Sequence, residues 1–193
     1  MSLEREFDLR RWLPGLVMGL AVALSLPPAR VLIEQSMVWH MLVQMPLLVL
    51  AGWLAGRQWP APRALERFNR FGLTGFAAAQ GLAGYWMLPS SIDRAVVDTG
   101  ADALKIATLW LCGAALRHAM QRAPPVVQVF FLGYTLPMAV WLGLYFASTD
   151  LRLCNAYSLQ SQAATGIGLV ALGVAAGALW IAGLTLRRRP GRA

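Results

Sequence analysis

Unbroken apolar runs dominate this sequence, each close to the roughly 20 residues an α-helix needs to cross the hydrocarbon core of a bilayer. They fall at about 12–33, 36–56, 71–88, 103–121, 126–147 and 163–186. An outer-membrane barrel strand would instead alternate apolar and polar residues over about ten positions, which none of these runs does. Backbone groups inside a bilayer must be satisfied within their own segment, so a helical bundle is the fold these runs allow. Composition agrees. With 58% hydrophobic and 13% charged residues in 193, the chain has too little polar surface to cover a water-soluble core of this size. The expected architecture is therefore all-α, a polytopic membrane bundle of about six transmembrane helices forming a single domain over 1–193.

The net charge of +8 raises nucleic acid as a partner. The arginines, however, cluster at the ends of apolar runs and not along one polar face, which is a topological pattern and not a nucleic-acid footprint. Arg5, Arg10 and Arg11 precede the first run. Arg57, Arg63, Arg67 and Arg70 follow the second, Arg117 and Arg122 the fourth, and Arg187, Arg188, Arg189 and Arg192 the sixth; the alternate connections hold only Arg30, Arg94 and Arg152. The positive-inside rule then places both termini in the cytoplasm and the sparse connections outside, as expected for a bacterial inner-membrane protein. The first run is followed by "LPPARVLIEQ", with no small-residue cleavage pattern, so it is expected to remain as a span, bent at Pro27 and Pro28.

Trp39, Trp53, Trp59, Tyr85, Trp86, Trp110, Trp141, Tyr145 and Trp180 lie mostly near predicted span ends and read as interfacial anchors. Glycines recur at packing spacing, at Gly166, Gly173, Gly177 and Gly183 and again at Gly72, Gly75, Gly81 and Gly84. These predict close helix contacts, within the chain or in a homo-oligomer.

Against this apolar background the polar residues stand out, and most belong to the outward half. In "QSMVWHMLVQMPLL", Met37, His40, Met41, Gln44 and Met45 occur at i, i+3, i+4, i+7 and i+8, one face of a helix. Thioether sulfur and imidazole both suit copper, so this stripe is a candidate metal site; methionine packing around a hydrogen-bonded histidine is the plainer reading. Pro46 removes a backbone donor and predicts a local kink that frees the Leu42 carbonyl. Met87 ends the third span, and Asp93, Arg94 and Asp98 follow in what reads as a loop. Asp102 and Lys105 share a face at the start of the fourth span. Lys105 is the only lysine. At that depth a charge is a functional candidate, with Asp102 as its first partner and Asp98 as a second, unless the side chain snorkels to the interface. Cys154, Gln160 and Gln162 complete the set. The two cysteines, Cys112 and Cys154, form no CxxC and no disulfide framework. His118 lies at the opposite end of its span from His40, which disfavours a haem held by two histidines.

No nucleophile elbow, HExxH, phosphate-binding glycine loop or intramembrane carboxylate pair occurs, and an enzyme is not expected.

The segments "SMVWHMLVQMPLL", "WMLPSSIDRAV" and "QAATG", taken in order, resemble the CtaG-type cytochrome c oxidase assembly factors, polytopic proteins associated with copper supply to the oxidase. The resemblance covers roughly residues 35–175. It implies that His40, Met41 and Gln44 match an HML-like segment, that Pro89, Asp93 and Ala95 match a P..D.A segment, and that Gln162 and Gly166 match a final glutamine–glycine step. Where that family carries further histidines, this chain reads "TGADALKIATLW", with Lys105.

The expectation is a membrane assembly factor that binds copper or hands it to a respiratory oxidase subunit or another copper protein. Its site would be built from Met37, His40 and Met41, with Met87 and Asp93 next in line. Two alternatives stand beside it: a small transporter or channel-like module using Lys105 and Asp102 on an anion or a proton, and a structural accessory subunit of a membrane complex.

Overall fold

The computed structural model describes residues 9–58 and 63–187, and these are helical throughout their ordered elements. The helices are α1 (Leu9–Ala23), α2 (Ala29–Ile33), α3 (Met37–Ala55), α4 (Arg63–Phe68), α5 (Leu73–Trp86), α6 (Pro89–Val97), α7 (Thr99–Arg122), α8 (Pro125–Ser148) and α9 (Leu159–Arg187). Three of them, α3, α8 and α9 up to Thr185, are long and apolar enough to cross a membrane. The expected anchor Trp59 and the basic residues Arg5, Arg188, Arg189 and Arg192 lie outside the described residues.

The boundaries have local causes. Pro89 and Pro125 occupy the first turns of α6 and α8, where a missing N–H costs nothing. Asp98 caps α7 by accepting from the Gly100 amide at 2.8 Å. The expected continuous first run is two helices instead: α1 stops at Ala23, and α2 begins only after the Pro27–Pro28 pair, because consecutive prolines cannot donate to the preceding turn. The 89–102 stretch, expected as a loop, contains the helix α6. In α3 the turn from His40 to Gln44 is a π-helix, with the Met45 amide donating to the His40 carbonyl five residues back. Pro46, which cannot donate, follows at once, and the widened turn takes the place of an ordinary kink.

Helix directions follow from which residues touch. Val49 and Trp53 of α3 face Gly113, and Gly56 faces Arg117, so α3 and α7 run parallel. Along α5, Gly75 meets Ala119 and the Cys112 thiol donates to the Ala79 carbonyl at 3.4 Å, so α5 runs antiparallel to α7. Gly143 meets Gly166 while Leu136 meets Gly177, which sets α8 antiparallel to α9. Met37 and Leu42 lie beside Ser161 and Gly168, which makes α9 parallel to α3. Long helices therefore alternate in direction, and the starts of α3, α7 and α9 share one end of the bundle.

Close packing is concentrated at a few glycines. A Cβ on Gly52 would collide with the Trp110 carbonyl, one on Gly113 with the Val49 carbonyl, and one on Gly143 or Gly166 with the opposing backbone. Gly166 belongs to the expected set, but Gly81, Gly84 and Gly183 meet nothing, and Gly52, Gly113 and Gly143 carry the tightest crossings. Gly72 is at φ 75°, the left-handed turn that starts α5.

The surfaces of α8 and α9 are covered with large apolar side chains: Phe130 is 79% exposed, Trp141 61% and Leu179 75%. Contiguous faces of this kind fit a lipid environment and would be an association liability in water. Of the expected anchors, Trp39, Tyr85, Trp141 and Tyr145 are exposed. Trp86 is not; it is buried and donates from Nε1 to Thr108 Oγ at 2.8 Å, bracing α5 against α7.

Candidate functional site

At the shared end of the bundle the starts of α3 and α7 bring His40 and Lys105 together in the interior. Both side chains have zero exposure. Lys105 does not snorkel to the interface; its Nζ lies 2.8 Å from His40 Nε2, 2.6 Å from Asp102 Oδ1, 3.4 Å from Gln44 Oε1 and 3.8 Å from Glu34 Oε1. Asp98, expected as a second partner, is occupied at the α7 N-terminus and sits 3.9 Å from Arg94 on the surface. A capping aspartate must face the free amides of the first turn, which turns it away from a lysine seven residues later.

A second cation closes the cluster. Arg30 of α2 reaches Glu34 at 2.9 Å and Asp102 at 3.5 Å, and its Nη2 donates to the carbonyls of Ala95 and Val96 in α6. Two positive and two negative side chains thus neutralise one another. Glu34 lies in the turn between α2 and α3, and burial pushes its carboxyl above the usual range against the pull of Lys105 and Arg30. Gln44 extends the network to the turn after α1, donating from Nε2 to Ser25 Oγ at 3.0 Å. Ser25 in turn donates to the Ala21 carbonyl at 2.9 Å.

His40 links the cluster to the opposite wall. Its Nδ1 lies 2.5 Å from the hydroxyl of Tyr157, a buried residue in the connection between α8 and α9. That connection is tied down strongly. Gln162 accepts from the Leu153 amide at 2.9 Å and donates to the Leu151 carbonyl at 3.0 Å. Asp93 accepts from the amides of Asn155 and Ala156 at 2.9 and 3.1 Å, and Arg152 donates to the Tyr157 carbonyl at 2.7 Å. Asp93 and Gln162 therefore hold the loop that carries Tyr157, at a distance from His40 in the chain's own hydrogen bonding. Cys154, in the same loop, is buried, and burial with the nearby Asp93 charge pushes its thiol up to about 11.

The methionine stripe is buried as one face: Met37 has zero exposure and Met41 and Met45 are 7% exposed. Met41, Met45 and Met87 line a common cavity of about 420 Å³ between α3, α5, α7 and α9, together with Trp53, Leu109 and Leu169. Met37 does not line that cavity, although it belongs to the same buried core as Met41 and Met45, with Ile92, Cys154 and Tyr157. Among the described residues no group of three or more His, Cys, Asp or Glu is arranged to hold a metal ion. His40 has both ring nitrogens hydrogen-bonded within the protein, one to Lys105 and one to Tyr157, while the thioethers of Met41 and Met87 line the apolar cavity.

Sequence reasoning found His40, Gln44, Asp102 and Lys105 but missed Ser25, Arg30, Glu34 and Tyr157. Arg30 and Glu34 did carry a signal: opposite charges at i, i+4 beside an apolar run. Tyr157, in a loop 117 residues from His40, carried none. No protein-family model, curated protein or solved structure matches this chain.

Proposed function

We propose that this chain is a bacterial inner-membrane protein of six spans, α1, α3, α5, α7, α8 and α9, with both termini cytoplasmic, acting as a small transporter-like module that moves charge through its outward half. The alternating helix directions support the six-span reading. So do the arginines Arg57, Arg70, Arg117 and Arg122, which gather at the end opposite the cluster.

One observation carries the functional reading: Lys105, with zero exposure, is held among His40, Asp102 and Glu34 in a compensated cluster inside an apolar bundle. Burying ions costs several kcal/mol each and is seldom repaid in stability, so ionisable groups at such depth mark pathways for ions or protons. Purified protein in liposomes, with a pH-sensitive dye inside and an imposed gradient, tests this. Flux that Lys105→Met abolishes supports it; liposomes with intact protein no leakier than empty ones refute it.

A second reading, copper handover to a respiratory oxidase in the manner the CtaG-type resemblance implies, draws on the three thioethers of Met41, Met45 and Met87 that line one cavity. Thioether-only donors favour Cu(I). Titration with Cu(I) against a chelator tests it, and binding unchanged in a Met41→Leu, Met87→Leu double variant removes that cavity from the reading.

A further inference from the structure

We propose that Tyr157, His40 and Lys105 form a proton relay in which the imidazole changes tautomer as Lys105 gains or loses its proton. The inference deepens the transporter reading, on which its physiological meaning rests, by naming the proton as the ion.

In a neutral imidazole one ring nitrogen donates and the other accepts. Here both nitrogens face groups able to play either part: a lysine nitrogen at 2.8 Å and a phenol oxygen at 2.5 Å. When Lys105 is an ammonium it donates to Nε2, so the ring proton sits on Nδ1 and is donated to the Tyr157 oxygen. When Lys105 is a neutral amine, Nε2–H donates to Nζ, and the Tyr157 hydroxyl donates to Nδ1. The same heavy-atom positions serve both states.

Conversion of the first state into the second moves one proton. The Nζ–H bond breaks as Nε2–H forms, Nδ1–H breaks as a bond to the Tyr157 oxygen forms, and the original phenolic proton leaves to water at the outer end. Lys105 is left as an amine, while His40 and Tyr157 stay neutral. Lys105 then regains a proton, and net movement of charge requires that proton to arrive from the inner side.

Asp102 on α7 and Glu34, at the end of α2, face the lysine, Arg30 on α2 faces the same two carboxylates, and Cys154 and Asp93 lie on the Tyr157 side from the loop and α6. Burial, with Glu34 as the next contributor, pushes the Tyr157 phenol well above its ordinary value, so it passes protons without resting as a phenolate.

Nitrogen-15 NMR of the full-length protein in lipid, labelled at histidine, reads the tautomer directly. His118 serves as an internal reference and His40→Gln assigns the signals. At neutral pH the His40 ring is expected with its proton on Nδ1, converting to the Nε2–H form as pH is raised. In Lys105→Met that conversion should vanish; in Tyr157→Phe the Nδ1–H preference should weaken. A His40 ring that is Nε2–H or doubly protonated at neutral pH, or whose conversion persists in Lys105→Met, overturns the relay. The liposome assay separates the two proposals. Tautomer conversion without flux sustains the relay and refutes the transporter, while flux that survives His40→Gln sustains the transporter and refutes the relay.

Discussion

Replacing Lys105 by methionine removes one of four mutually neutralising charges, and the geometry fixes what should follow. At an effective dielectric of about 20, Asp102 at 2.6 Å and Glu34 at 3.8 Å attract the ammonium by ~6 and ~4 kcal/mol before desolvation is counted. Desolvation of the ammonium offsets much of this, so the pair itself adds little net stability. The variant, however, keeps Asp102 and Glu34 buried with only Arg30 to balance them, and it strips His40 Nε2 of its donor. Removing one member of a buried pair in this way costs ~3–5 kcal/mol. Lys105→Met with Asp102→Asn leaves Arg30 and Glu34 as a balanced pair. It should therefore be more stable than Lys105→Met alone, with a coupling of ~1–3 kcal/mol between the two sites. Unfolding in lipid bicelles by sodium dodecyl sulfate, followed by tryptophan fluorescence on the wild type, both singles and the double, gives the full cycle. A double variant destabilised by the sum of the two singles would refute the argument from charge balance.

Other expectations rest on separate contacts. Gly113→Ala places a methyl group against the Val49 carbonyl and should force α3 and α7 apart at a cost of ~1–3 kcal/mol, read as a lower melting temperature. Trp86→Phe forfeits the bond to Thr108 and should lose ~1 kcal/mol in the same unfolding assay. Gln162→Ala leaves the Leu153 amide and Leu151 carbonyl without their partner, so amide exchange in 151–157 should accelerate while that of α7 is unchanged. Because the Cys154 thiol is pushed up to about 11, only its protonated form is populated near neutrality. Alkylation of the folded protein should be slow there and rise roughly tenfold per pH unit up to that value.

The long helices were legible because each demands an apolar run, and the run and the helix coincide to within a few residues in α3, α5, α8 and α9. The stripe from Met37 to Met45 was legible for the same reason: its period survives even through the π-turn, and all five side chains are buried. Lys105 and Asp102 were visible as a pair because they lie three residues apart on one helix. What the sequence withheld was the assembly of partners from elsewhere. Arg30 sits on a five-residue helix too short to show a period and Glu34 caps its end, and Tyr157 joins His40 through a loop whose path is set by Asp93 and Gln162 in two other elements. Those two residues were visible as unusual but not as scaffolding, since a side chain that accepts backbone amides looks in sequence like one that could bind a ligand.

The crossing of Gly52 and Gly113 has a consequence far from where it occurs. Because the two backbones touch there, neither α3 nor α7 can slide along the other without lifting out of contact, and a slip of one residue would carry Lys105 about 1.5 Å past His40. The 2.8 Å separation between those two side chains is thus gauged by a glycine notch two to three turns deeper in the bundle. A change at that notch would detune the polar cluster without altering any of its residues.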